Sequence, residues 1–189
     1  MTKVFIIHGF EGHPNGGWRP WLTQELEKQN IYSASLVMKS PDKPKAVEWI
    51  KEIDYNVKKF PKDNIILIGH SLGVPTILKY LQSKNPKNIK GCILVSGPYK
   101  DDRKGKVTEV LKSFFVGKYD WKNILKFGKK FYVIHGTDDK MVDISHAEFL
   151  KDQLNGELIT VKNGGHLNGS SGFYTLPEAL ESINKITKN

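Results

Sequence analysis

Short apolar runs, many of them β-branched, recur along the chain. Between them lie longer segments whose apolar positions return at helical spacing. Lys3 to Ile7, Ile31 to Met38, Ile65 to Ile68, Lys90 to Val95, Phe131 to His135 and Glu157 to Val161 read as strands. Several of these runs lack any solvent-facing alternation, the pattern of a strand covered on both sides of a parallel sheet. Trp18 to Gln29, Lys45 to Phe60, Pro75 to Gln82, Ser145 to Leu154 and Pro177 to Ile186 read as helices. Trp21, Leu22 and Leu26 form the apolar stripe of the first. Val47, Ile50, Ile53 and Val57 form that of the second. Pro75 and Pro177 fall in first helical turns, where a missing N–H has no partner to lose. Asp143 or Ser145 is placed to cap the helix over 145–154. His146, on that helix, is expected to be exposed. The alternation of strand and helix predicts an α/β fold: a parallel sheet with helices on both faces, and ligand at the carboxyl ends of the strands.

One segment breaks this rhythm. Between the fourth and fifth strands lie residues 96–130, with a charged turn (Lys100, Asp101, Asp102, Arg103, Lys104) and five aromatic residues: Phe114, Phe115, Tyr119, Trp121 and Phe127. A connection of this length carries its own helices or serves function. It is read as a small cap-like helical insertion at about 98–128, with an ordinary connecting helix pair as the alternative. With 189 residues, no repeat and no low-complexity tract, the chain is expected to be one domain spanning 1–189.

Charge and cysteine content narrow the classes. The net charge is +9, which could mark a nucleic-acid binder. The lysines are spread along the chain without a zinc-finger or RNA-recognition signature, so solvated helix faces are the expectation and no nucleic-acid partner is assigned. The single cysteine, Cys92, excludes an internal disulfide framework. It sits within a strand and is read as a small core residue. No stretch approaches the roughly 20 apolar residues of a membrane span, and the first residues look like a strand and not a leader. A cytoplasmic location without membrane contact is expected.

The candidate chemistry centres on Gly69-His70-Ser71-Leu72-Gly73. A buried strand, then G-x-S-x-G, then a helix is the context of a nucleophile elbow: a sharp turn that exposes the serine hydroxyl. The glycines let strand and helix backbones pass closely. A serine hydroxyl needs a base, and the base an orienting acid. Strand five is followed by Asp138 and Asp139, and strand six by His166. His166 is therefore the candidate base, with Asp139 or Asp138 as its acid. Asp139 is favoured, because successive side chains in a tight loop point apart and only one faces His166. A developing oxyanion needs backbone donors. The amide of Leu72 is one. The glycine-rich loop after strand one offers the other, at Phe10 or else Gly9. His8 and His13 lack metal-ligand spacing, and the same loop lacks both phosphate-binding glycine motifs. No metal and no cofactor is assigned.

His8-Gly9, the elbow, Ser96 after strand four, Asp138-Asp139 with Val142, and Gly165-His166 together resemble the small serine hydrolases of the retinoblastoma-binding protein nine and YdeN type. The resemblance covers nearly the whole chain, including Trp18, Trp21 and the closing helix. It implies a compact α/β-hydrolase fold, a three-layer sandwich around six parallel strands in the order 2-1-3-4-5-6. It implies Ser71, Asp139 and His166 as the triad. Two positions depart from the pattern: Asp143 replaces the usual proline, and Leu167-Asn168 follows the histidine where relatives carry an aromatic. The expected function is hydrolysis of a small carboxylic ester, less readily an amide, through an acyl-enzyme, with short acyl chains preferred. The alternative is a catalytically quiet protein that uses the fold for protein–protein binding. The Leu-x-Cys-x-Glu motif that would suit the retinoblastoma pocket is absent around Cys92. Monomer and dimer both remain open.

Overall fold

The computed structural model describes residues 1–102 and 106–188. Arg103 and Lys104 of the charged turn lie outside the described residues. Six strands form one sheet in the order β2-β1-β3-β4-β5-β6: β1 (Thr2–Ile7), β2 (Tyr32–Ser35), β3 (Asn64–His70), β4 (Ile89–Val95), β5 (Phe131–Gly136) and β6 (Glu157–Val161). Every neighbouring pair is parallel. The strand order predicted from the sequence resemblance is the order found.

The two periods of the sequence build the two sides of the sheet. Alternate residues of a strand face opposite ways. Val4, Ile6, Ile66, Ile68, Ile93 and Val95 pack under α1 (Arg19–Lys28) and α7 (Pro177–Thr187). Phe5, Ile7, Ile65, Leu67, Cys92 and Leu94 pack under α2 (Ala46–Lys58), α3 (Gly73–Lys84), α5 (Trp121–Gly128) and α6 (Ser145–Gln153). Each fully buried aliphatic side chain contributes about 1.5–3 kcal/mol. Cys92 lies fully buried among them, in the core as read. Among the described residues no helix is long and apolar enough to cross a membrane.

The chain turns from β1 outward to β2 and then crosses back to β3 on the other side of β1. The loops after β1 and β3 therefore leave the same edge of the sheet side by side, which is where an open α/β sheet forms its crevice.

Several boundaries differ from the sequence expectation. Strand two was expected to run from Ile31 to Met38 but spans Tyr32–Ser35. Leu36 still donates to the Ile6 carbonyl, after which the chain leaves the sheet through Ser40 at φ +46°. The buried face of α2 is Ala46, Trp49, Ile53 and Val57, while Val47 is exposed. Trp49 is drawn inward by its indole N–H, which donates to Lys39 O at 2.8 Å, and by Phe114 across the interface. Asp143 does bind the Ser145 N–H, at 2.9 Å, although the cap position itself is Ile144. His146 is not exposed: it is 96 % buried by its 4 % residual exposure. It accepts from the Tyr99 N–H and meets Asp102 at 3.1 Å, so the β4–β5 connection covers it.

That connection divides in two. α5 is a layer helix with Ile124 in the core, and its start is capped by Asp120 accepting from Asn123 N. α4 (Lys106–Leu111) and the 3-10 turn at Lys112–Phe114 lean instead over the carboxyl edge of the sheet, where Leu111 reaches the cavity described next.

Candidate active site

Ser71 stands at the turn between β3 and α3 with φ +54°. A side-chain-bearing residue adopts that left-handed conformation only under constraint. The constraint is visible. Ser71 N–H is held by Val95 O at 2.9 Å, and Val74 N–H reaches back to Ser71 O at 3.0 Å. Helix α3 crosses so near the strands that a Cβ on Gly69 would lie 2.7 Å from the Gly73 carbonyl. One on Gly73 would run into the carbonyl of Ile7. Only glycine fits at either position.

The structure brings Ser71, His166 and Asp139 into one hydrogen-bonded series. Ser71 Oγ donates to His166 Nε2 at 3.0 Å, and His166 Nδ1–H donates to Asp139 Oδ2 at 2.8 Å. Because the carboxylate can only accept, the proton of His166 sits on Nδ1 and leaves Nε2 free to take one from serine. Asp139 Oδ1 accepts from Met141 N–H at 2.8 Å and Val142 N–H at 3.1 Å. Its side chain is fully buried. Burial alone would raise its pKa, but the bond and charge of His166 and the two backbone donors outweigh that and hold the carboxyl below its ordinary value. Asp138 faces elsewhere: its Oδ1 accepts from Gly165 N–H at 2.8 Å and pins the loop that carries His166. Of the two aspartates, only Asp139 reaches the histidine.

Phe10 and Leu72 lie beside Ser71 on the wall of one cavity of about 280 Å³. Among the described residues, neither of their backbone N–H groups has an acceptor. Gly9 N–H belongs to the same loop, and Gly9 O is occupied by His8 Nδ1–H at 2.8 Å. His8 is buried against Trp49, and His13 accepts from Asn15 N–H. Both therefore serve the loop's own geometry.

The chain belongs to the serine hydrolase family. The profile of that family matches residues 4–185. The YdeN protein of Bacillus subtilis is 33 % identical over 179 residues, covering 94 % of this chain and 92 % of YdeN. The crystal structure of that ydeN gene product superposes with a TM-score of 0.91 over all of both chains, at 28 % identity. A YdeN-like hydrolase from Pectobacterium atrosepticum has a TM-score of 0.72 at 15 % identity over all of this chain and 91 % of its own. A monoacylglycerol lipase from Paleococcus ferrophilus has a TM-score of 0.63 at 18 % identity over 85 % and 84 %. The last two are likenesses of fold.

Three residues support this candidate site in ways that sequence alone did not reveal. His135, at the end of β5, lies beneath Asp139 at 3.5 Å, with its Nε2–H on Val142 O. Trp18 donates to Leu167 O at 2.9 Å. His70, the variable residue of the elbow, donates from Nε2 to His166 O at 2.9 Å and packs against the His166 ring. Burial, reinforced by the charges of His166 and Arg19, pushes the His70 pKa down from 6.5 to about 3.

A pH dependence follows. Between about 3 and 6.5 the unfolded chain takes up the His70 proton and the folded one does not. This contribution is thus complete above the unfolded value and lost as pH falls toward the folded one. One such group gives a slope of up to about 1.4 kcal/mol per pH unit. Urea unfolding at pH 7 and pH 5 is expected to show stability falling with acidification, and His70→Gln to make the fall shallower. Equal slopes in the two proteins would contradict the buried neutral state of His70.

Proposed function

We propose that this protein hydrolyses small carboxylic esters through a covalent acyl-enzyme on Ser71. The observation that carries the reading is the unbroken series from Ser71 Oγ through His166 to Asp139, at 3.0 and 2.8 Å, opening on the cavity beside Ser71. Ser71 Oγ attacks the ester carbonyl while its proton passes to His166 Nε2. The carbonyl oxygen becomes an oxyanion, and the Phe10 and Leu72 N–H groups are the donors nearest to hand for it. Collapse expels the alkoxide, which takes the proton back from His166 Nε2. Water then repeats the sequence on the acyl-serine, releasing the acid and restoring Ser71. Asp139 stays ionised and keeps the imidazole proton on Nδ1. Family membership and a lipase among the fold neighbours support ester chemistry.

The cavity sets the substrate size. At about 280 Å³ it lies below the ~300–1,000 Å³ of sites that enclose drug-sized ligands. Leu111, fully buried, closes one side. With 4-nitrophenyl esters, kcat/KM is expected to peak between acetyl and butyryl, fall toward dodecanoyl, and disappear in Ser71→Ala. Rates that climb from acetyl to dodecanoyl without a maximum, or that survive in Ser71→Ala, would overturn the proposal.

A further inference from the structure

We infer that this site selects esters that carry a negative charge close to the scissile carbonyl, and that Lys140 is the residue that recognises it. The inference rests on Ser71 marking the reaction centre. The walls of the cavity are otherwise uncharged: Phe10, Leu72, Pro98, Leu111 and Val142 are apolar. Lys140 is exposed at the rim, one residue after Asp139.

The three aspartates nearest Lys140 in sequence each have another partner. Asp139 is buried, with Oδ2 on His166 and Oδ1 on the Met141 and Val142 N–H groups. Asp138 binds Gly165 N–H, and Asp143 binds Ser145 N–H. Glu11 is exposed and does not line the cavity. Lys140 itself makes no ion pair and no hydrogen bond among the described residues. An apolar wall strengthens a cation's pull by excluding water from part of its field. A ligand that satisfies both features has a short apolar body inside and an anionic end at Lys140.

The test compares two anionic esters, monoethyl succinate (charge on the acyl side) and 3-acetoxypropanoate (charge on the alcohol side), with neutral ethyl butyrate. Binding to Ser71→Ala is followed by the methyl resonance of Met141, which lines the same cavity. At low ionic strength at least one anionic ester should bind about tenfold more tightly than ethyl butyrate, and the preference should weaken with added salt. Lys140→Met should abolish it, Lys140→Glu reverse it, and Lys140→Arg restore it. Equal affinities for all three esters, or a preference unchanged in Lys140→Met and Lys140→Glu, would overturn the inference. Fluorophosphonate labelling of Ser71 in the intact protein reads the hydrolase proposal separately: a protein that labels but binds the three esters equally keeps the hydrolase reading and loses the inference, and one that prefers the anions but does not label keeps Lys140 as an anion-binding residue and loses the hydrolase reading.

Discussion

Asparagine at position 139 is expected to lower kcat about 10⁴-fold while leaving the fold intact, because it traps His166 in the wrong tautomer. The geometry dictates the direction. Met141 and Val142 point two N–H donors at Oδ1 of Asp139, 2.8 and 3.1 Å away. An amide at this position must turn its oxygen toward those donors. Its NH₂ group then faces Nδ1 of His166, where Oδ2 now accepts at 2.8 Å. Two donors cannot share that line, so the imidazole proton moves to Nε2, the atom that must accept from Ser71. Ser71 Oγ would then face an N–H where it now has a base. Steady-state hydrolysis of a short-chain ester checks the rate, and urea unfolding checks the fold. A loss below about tenfold would mean that Asp139 does not control the tautomer.

Gly73→Ala is the substitution expected to cost most stability near the site, about 2–3 kcal/mol. The added Cβ would enter the space of the Ile7 carbonyl and lie 3.2 Å from the His8 carbonyl. These are backbone atoms at and just beyond the end of β1, where Ile7 pairs with Gly69 of β3, and no rotamer change relieves the contact. Relief requires α3 to move away from β1, which also displaces the loop carrying Phe10 relative to Ser71. Stability and kcat should therefore fall together. A urea midpoint lower by about 1–2 M is the expected readout for a domain of this size. An unchanged midpoint would contradict the close crossing of helix and strand.

The positions that chemistry constrains most were the most legible in sequence. Gly69 and Gly73 announce a turn that no other residue fits, and the order Ser71, Asp139, His166 after β3, β5 and β6 places the three at one edge of a parallel sheet. Fully apolar runs such as Ile65–Ile68 marked strands covered on both faces. Less legible were features decided by a distant partner. The Lys45–Phe60 segment has apolar residues at two overlapping helical spacings. Which of Val47 and Trp49 turns inward depends on Lys39 O and Phe114. His146 is covered by Tyr99 and Asp102, and no pattern along α6 shows that. The role of His70 is hidden in sequence, because the His166 carbonyl it binds is 96 residues away. His135 carried a faint signal, a polar residue ending the otherwise apolar strand Phe131–Ile134 just before the acid.

The central claim, that Ser71 is activated through His166 by Asp139, is tested most directly by the rate of covalent labelling with a fluorophosphonate in the intact protein and in Asp139→Asn, with the site located by mass spectrometry. The account predicts stoichiometric modification of Ser71 in the intact protein, slowed by about 10³-fold or more in the variant. Equally fast labelling of the two proteins, or none in the folded intact protein, would contradict it.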